Sequence, residues 1–162
     1  GIVIDTQHFN VQTGVRTFEA AAFLKRIGAD VTRVRKMFRE DAADYLAKAE
    51  AIHNAEIYEN YYAISECDSA NTASPTLVCA QAANDLLNIK GIKASFVLTL
   101  YNDVIYISAR SMDEVNVQTI MEKLGGGGHR SVAGAQIKEG SIEDAKNLVK
   151  KVLKELIERG EI

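Results

Sequence analysis

The sequence predicts an α/β fold, with a mixed β-sheet flanked by helices that follows a truncated α/β remnant and a linker helix. Two alternating segments, 93–100 and 104–110, flank the turn-forming pair Asn102-Asp103 and predict two paired strands. Apolar residues recur at helical spacing in 116–124 and again after Ser141, which predicts two helices that each bury one stripe. Strands and helices interspersed in this way are typical of a sheet covered by helices.

Residues 1–57 are predicted to be the remnant of one domain plus a linker helix. Ile2-Val3-Ile4 is a short apolar run, which is typical of a strand buried on both faces. Helices are predicted over 17–27, over a short basic stretch after Asp30, and over 41–58. Because the chain opens inside a predicted strand and without methionine, we expect it to be a piece of a longer protein. The edge of that strand would favour self-association into a homodimer.

Residues 58–162 are predicted to form a second domain. A strand is predicted over 61–66, and a helix over 74–87 begins with the N-cap Ser74 and with proline at its first position. A glycine run follows the helix at 116–124, and an apolar segment at 129–137 follows the run. Ser141 and Asp144 have the spacing of a capping box, which predicts the start of the last helix.

Composition and charge exclude several classes of function. The chain has 162 residues, of which 47% are hydrophobic and 25% are charged, as in an ordinary globular protein. Its net charge of −3 argues against long duplex DNA as the main ligand, since phosphate binding needs a positive field. Cys67 and Cys79 form no CxxC pair, which predicts a reduced protein with buried, inert thiols.

The strongest chemical signal is the glycine run with the residues that follow it, Gly125-Gly126-Gly127-Gly128-His129-Arg130-Ser131. Glycines allow the backbone to approach a ligand closely, and successive amides in such a turn attract anions. His129 and Arg130 add donors at the rim. We therefore expect this segment to bind a phosphate or phosphodiester. The alternative interpretation is a flexible linker or structural hinge.

Other candidate site residues lie near strand and helix ends. Arg110 and Ser111 end a predicted strand, where an arginine can fork onto a phosphate or can be a solvated charge. Asn116 is either a helix cap or a ligand contact near the glycines. Asp5 follows an apolar strand, the position of many metal ligands in α/β sheets, although it can equally cap a turn. A basic cluster at Arg33, Arg35, Lys36 and Arg39 is read as a solvated helix face.

These motifs resemble the DHH family of phosphoesterases. The glycine–histidine segment at 125–135 is similar to the motif of the DHH-associated domain, the second domain of that family. The segment at 1–6 resembles the last metal-binding motif of the preceding DHH domain, and the segment at 13–21 is similar to the membrane-anchored cyclic-di-AMP phosphodiesterases of the GdpP type.

The resemblance implies that Asp5 is a manganese (Mn2+) ligand and that Arg110, Ser111 and the 126–129 segment hold the substrate. It implies a parent hydrolase that opens cyclic-di-AMP to a linear dinucleotide at the cytoplasmic face of a membrane. The Asp-His-His motif and the other upstream ligands are absent from this chain. One carboxylate cannot hold two catalytic metals, so we expect a soluble fragment that keeps substrate recognition but is inactive alone and binds no metal.

Two other classes of function stay open. The same domain type accompanies single-strand exonucleases, short-RNA nucleases and alanyl-tRNA synthetase, so a nucleic-acid-binding domain that binds a short oligonucleotide is the first. Stacking aromatics are few and the charge is negative, which favours a short ligand. The second is a domain for interaction or dimerisation only. In the phosphodiesterase interpretation, the missing DHH domain is a partner within the same chain.

Overall fold

The computed structural model describes residues 1–6, 8–10, 12–68, 70–112 and 114–162, which form two compact units, Gly1–Glu40 and Asp41–Ile162. The first unit holds the helices α1 (Ile2–Asp5), α2 (Val15–Arg26) and α3 (Val31–Lys36). Among its described residues only Thr6 is buried. The first unit therefore contains no apolar core of its own in the described part of the chain.

The prediction of a strand at Ile2-Val3-Ile4 is wrong, because these residues begin a short helix. The Thr6 amide and the Thr6 hydroxyl both donate to the Ile2 carbonyl oxygen, at 3.0 and 2.7 Å. The described residues of the first unit contain no strand. Since backbone groups must find partners, they close a local helical turn instead. The argument for self-association through an exposed strand edge fails with it.

The second unit opens with the helix α4 (Ala42–His53), followed by the strands β1 (Glu56–Tyr58) and β2 (Tyr62–Glu66). The predicted helix over 41–58 is therefore wrong beyond His53. Glu59 and Asn60 have φ angles of 49° and 64°, which turn the chain so that β1 pairs antiparallel with β2. Pairing of the three-residue strand β1 with β2 is therefore favoured over continuation of the helix α4.

The central elements follow the prediction closely. They are the helix α5 (Pro75–Leu86) and the strands β3 (Ala94–Tyr101) and β4 (Val104–Ser111). Asn102 and Asp103 have φ angles of 51° and 59° and join β3 to β4 by a two-residue turn. The predicted hairpin is confirmed.

The last four elements lie around and after the glycine run. These are the helix α6 (Val117–Lys123), the strands β5 (Gly127–Gly128) and β6 (Val132–Ile137), and the helix α7 (Ile142–Glu158). The Ser141 hydroxyl accepts from the Asp144 amide at 3.1 Å, and the Asp144 carboxylate accepts from the Ser141 amide at 2.9 Å. The predicted capping box is confirmed.

All six strands form one mixed sheet in the order β1-β2-β3-β4-β6-β5. β2 and β3 are parallel, and the other neighbouring pairs are antiparallel. α6 and α7 contribute to the core that includes Phe96, Ile107 and Leu153, whereas α4 and α5 contribute to the core that includes Val97 and Leu86. The predicted α/β architecture is confirmed.

On β4 every second residue is only half-buried. These residues are Val104, Tyr106, Ser108 and Arg110. Tyr106, Ser108 and Arg110 share the face of β4 that packs against α5. The strand thus leaves polar side chains accessible there, next to the glycine segment.

The domain division predicted between residues 57 and 58 stays a prediction. The two compact units of the structure divide after Glu40, and α4 belongs to the second unit, where Ala47 and Ala51 join the core beside α5. No helix among the described residues is both long enough and apolar enough to cross a membrane.

Candidate functional site

The glycine segment first closes α6. The Gly125 amide donates to the Glu122 carbonyl oxygen at 3.0 Å, and the Gly126 amide donates to the Met121 carbonyl oxygen at 2.8 Å. Gly125 has a φ of 76°, the left-handed conformation that ends many helices. The first two glycines therefore end the helix and turn the chain towards β6.

The same segment then lies directly against β6. A Cβ at Gly126 would overlap backbone atoms, 2.6 Å from the Cα of Ala135. A Cβ at Gly128, where φ is 148°, would lie 2.5 Å from the Cα of Ala133. A Cβ at Gly127 would meet nothing within 4 Å. Two of the glycines are thus required by a close approach of backbone to backbone.

Contrary to the prediction from the glycine run, the main-chain amides of Gly125, Gly126 and His129 are not open to an anion. The first two amides close α6, and the His129 amide donates to the Val132 carbonyl oxygen at 2.7 Å. These three N–H groups are engaged within the chain. These three amides are therefore not available to an anion beside the segment.

His129 begins the turn of the β5–β6 hairpin and is exposed. Two backbone hydrogen bonds fasten this turn to neighbouring elements. The Ser111 amide donates to the Ser131 carbonyl oxygen at 3.0 Å, and the Val117 amide donates to the Arg130 carbonyl oxygen at 2.9 Å. The hairpin turn, the end of β4 and the start of α6 therefore meet at one place.

Arg110 stands beside this meeting point, paired in register with Val132 on β6 and Ser95 on β3. Its Nε–H donates to Asn84 Oδ1 at 3.1 Å, and its Nη1 donates to the carbonyl oxygen of Ala109 at 2.9 Å. Burial lowers the pKa of the Arg110 guanidinium, which nevertheless stays charged at neutral pH. A charged fork in a partly desolvated place is suited to an anionic ligand.

Ser111 and Asn116 hold the backbone around the site. The buried Ser111 hydroxyl donates to the Val115 carbonyl oxygen at 2.6 Å. Asn116 is the N-cap of α6, and its Oδ1 accepts from the Gln118 amide at 3.2 Å. The structural alternative for Asn116 is thus realised, and the role of both side chains in ligand binding stays a prediction.

A polar cleft of about 440 Å³ lies on the accessible side of β4 and β6. Ser108 pairs with Gly134 at its floor, and Arg110 follows two residues further along the same face of β4. Gly125 and Gly126 form part of its wall, so the glycine segment borders open space. The other lining residues are Thr76, Tyr106, Ile107, Ala135, Gln136 and Lys138.

The described residues do not form a metal centre. No group of three or more histidine, cysteine or acidic side chains among them is arranged to hold an ion. Asp5 is exposed in α1, and the His8 ring packs edge-on to Phe38 with ring centroids 5.8 Å apart. Asp5 as a manganese ligand stays a prediction, and the residues described here do not by themselves fit a metal site.

The two cysteines take no part in the site. Both are buried and free of a disulfide, as predicted. Burial raises the pKa of the Cys67 thiol to about 11 and that of Cys79 to about 12. Their thiolate forms are therefore scarce at neutral pH, which makes them poor nucleophiles.

The structure brings together most of the predicted site residues. Arg110, Ser111, Asn116, the glycine segment and His129 all lie where β4, α6 and the β5–β6 turn meet. Sequence reasoning assigned no role in the site to Asn84 or to the cleft residue Tyr106. The alternation of β4 predicts that Tyr106 shares a face with Arg110, whereas no local signal pointed to Asn84.

The second unit thus combines a mixed sheet, a glycine–histidine hairpin and a cleft beside it. Comparison with known proteins identifies this type of domain. Residues 60–155 match the DHHA1 domain model, and the chain belongs to this family. It is 44% identical over 147 residues to the cyclic-di-AMP phosphodiesterase PdeA of Listeria monocytogenes, covering 90% of the chain and 22% of that protein. It is 42% identical over 161 residues to GdpP of Geobacillus thermodenitrificans, covering 99% and 24%. The chain thus spans about a quarter of these relatives.

Solved structures share the fold. An exopolyphosphatase-related protein from Bacteroides fragilis superposes with a TM-score of 0.83 at 20% identity, over 96% of this chain and 48% of that one. A pGpG-specific phosphodiesterase of Vibrio superposes with a TM-score of 0.50 at 17% identity, over 88% and 52%. At these identities the likeness concerns the fold alone.

Proposed function

We propose that the second unit is the substrate-binding part of a phosphodiesterase that hydrolyses cyclic-di-AMP to a linear dinucleotide. The observation that carries this proposal is the meeting of Arg110 with the His129 turn, fastened by the bond between Ser111 and Ser131 and bordered by a polar cleft. The two relatives described above are named as enzymes of this activity, and they match nearly the whole chain.

In this proposal the side chains of Arg110 and His129 bind the phosphodiester, and Gly127 and Gly128 of the glycine segment lie against the same ligand. The Nη end of Arg110 points its N–H groups to one phosphate oxygen or to two, and the His129 ring supplies a further donor. Lys138 adds positive charge at the cleft. The glycines let the hairpin lie close enough to β6 for His129 to reach the same ligand as Arg110.

Hydrolysis is assigned to a longer protein that contains this chain. In the proposal this chain binds and orients the substrate, and cleavage requires the longer protein. In the proposal Asp5 and the ligands of a preceding DHH domain would hold Mn2+, which would supply an activated water for hydrolysis. The same proposal includes contact between the DHH domain and this chain within one longer protein, and anchoring of that protein at a membrane.

The test replaces His129 and Arg110 singly by alanine in the full-length protein and measures kcat and KM for cyclic-di-AMP. Each substitution removes a charge-assisted or polar contact of about 1.5–3 kcal/mol, so we expect KM to rise about ten- to a hundredfold. The effect should fall mainly on KM because the contact is made in the bound ground state. His53→Ala, at an exposed histidine outside the site, is the matched control. An unchanged KM for His129→Ala contradicts the proposal.

The nucleic-acid alternative is tested by the same protein with a different ligand. Cyclic-di-AMP and a single-stranded oligoadenylate are titrated side by side at one salt concentration. With a net charge of −3, we expect the cyclic dinucleotide to bind at least as tightly. A preference of more than about tenfold for the oligomer would favour a single-strand-binding domain instead.

A further inference from the structure

The last turn of α5 is fastened to the sheet directly behind Arg110. The Ser95 hydroxyl donates to the Ala83 carbonyl oxygen at 2.6 Å, and the Cys79 thiol donates to the Val97 carbonyl oxygen at 3.0 Å. All four of these residues are buried. The backbone of α5 is therefore held in a fixed position over β3.

Asn84 extends this attachment to β4. It follows Ala83 in the chain, and Ser95 is the register partner of Arg110. The same turn of α5 thus bonds to two neighbouring strands at the same level, through Ser95 on one and Arg110 on the other. Asn84 Oδ1 accepts the Nε–H of Arg110 at 3.1 Å across 26 residues of sequence.

The contact decides how the guanidinium is presented. Nε–H faces Asn84, and one N–H of Nη1 faces the Ala109 carbonyl oxygen, so the inner edge of the group is bonded to the protein. The remaining N–H groups lie on Nη1 and Nη2, at the outer end. A long arginine side chain otherwise loses much rotational freedom when it binds a ligand. The hydrogen bonds to Asn84 and to the Ala109 carbonyl oxygen already restrict the Arg110 side chain. Less conformational entropy is therefore lost when a ligand binds.

We infer that Asn84 is a positioning residue for substrate binding, which aligns Arg110 so that its outer N–H pair meets the phosphodiester end-on. This inference rests on the proposed function, in which Arg110 binds the substrate phosphate. Asn84 itself is exposed near the end of α5 and needs no contact with the ligand. The chemistry required at this position is a hydrogen-bond acceptor, not an amide as such.

A purely structural role for Asn84 makes a different prediction. Its backbone carbonyl oxygen accepts from the Leu87 amide at 3.2 Å at the end of α5, a bond that every residue type retains. If the side chain only stabilised the helix end, its removal would lower the thermal stability and leave substrate affinity unchanged. The two roles are therefore separated by measuring affinity and stability in the same variants.

The experiment uses the full-length protein with Asn84→Ala, Asn84→Gln and Arg110→Ala, and the double variant Asn84→Ala/Arg110→Ala. We expect Asn84→Ala to raise KM for cyclic-di-AMP about five- to tenfold with kcat within about twofold, since one hydrogen bond to a charged group is lost. Asn84→Gln keeps an uncharged acceptor oxygen, and its KM should be closer to that of the parent than the KM of Asn84→Ala. Asn88→Ala, at an exposed asparagine just beyond α5, is the matched control.

The double variant distinguishes the possible failures. Because Asn84 acts through Arg110, Asn84→Ala should add no further change in KM when Arg110 is already alanine. If Arg110→Ala raises KM but Asn84→Ala does not, the positioning role is overturned and the proposed function stands. If Arg110→Ala leaves KM unchanged, the phosphate contact proposed for Arg110 fails, and the positioning role fails with it. Equal effects of Asn84→Ala in both backgrounds also overturn it.

Discussion

Gly126 and Gly127 are neighbours in the chain with opposite surroundings. The first lies against the backbone of β6, whereas the second has open space where a side chain would stand. Their positions in the glycine run do not distinguish them, so the sequence indicated a shared role. In the structure, Gly125 and Gly126 end α6, Gly126 also packs against β6, and Gly127 is not constrained by its surroundings.

Gly126→Ala is expected to destabilise the chain, because its Cβ would overlap backbone atoms of β6 that cannot move independently of the sheet. Overpacking of this kind costs about 1–3 kcal/mol, so we expect Tm to fall by about 3–10 °C in thermal unfolding followed by circular dichroism. Gly127→Ala is the matched control for stability and should hold Tm within about 2 °C. Equal Tm values for the two variants would contradict the close approach.

The candidate site was predictable where chemistry is encoded locally. Arg110 at a strand end and His129 after the glycines are visible in the sequence, and the structure brings them to one place. Asn84 was not predictable, because its partner lies 26 residues away and the contact depends on how α5 sits on the sheet. The amides of Gly125 and Gly126 were misjudged because the end of α6 competes for them.

At the level of elements, the predictions that succeeded rest on strong local signals. The Asn102-Asp103 turn, the Ser74-Pro75 helix start and the box at Ser141 each combine a residue type with a backbone requirement. The predictions that failed, at 2–4 and beyond His53, concern short segments whose state depends on a distant pairing partner. A strand needs a neighbour, and sequence alone does not show whether one is present.

Two serine N-caps allow a matched test of helix capping. Ser141 bonds the Asp144 amide through its side chain, whereas Ser74 makes no such bond to α5. We expect Ser141→Ala to lower the free energy of unfolding by about 1 kcal/mol and Tm by about 2–4 °C. Ser74→Ala should change Tm by less than about 1 °C. A similar loss in both variants would show that the box adds no stability.

The same cap sets the sign of a pH dependence. Hydrogen bonds from the Ser141 side chain and backbone lower the pKa of the Asp144 carboxyl from its ordinary value of 3.8. Because the pKa of Asp144 is lower in the folded state than in the unfolded state, the ionised carboxylate stabilises the fold at pH values above the unfolded-state pKa. This stabilisation is lost as the pH falls through the folded-state pKa. The loss caused by Ser141→Ala should therefore be largest at neutral pH and should shrink in acid below about pH 4.

The whole molecule divides into two units with very different burial. In Asp41–Ile162 the sheet separates two apolar cores, whereas in the described residues of Gly1–Glu40 no apolar side chain is buried. Exposed apolar residues of the first unit include Val15, Phe18, Phe23 and Met37. Burial of apolar surface is the main source of stability, so the second unit carries most of the folding free energy.

Deletion of residues 1–40 is therefore expected to leave the unfolding transition nearly intact. α2 has 12 residues and α3 has 6, lengths at which helices without tertiary packing are marginal in water. The chain 41–162 should unfold cooperatively with Tm within about 3 °C of the whole chain, measured by calorimetry at one pH and salt concentration. Residues 1–40 alone should show little helical circular dichroism. A fall in Tm of more than about 10 °C on deletion would mean that the first unit contributes to the stability of the second, against the burial observed here.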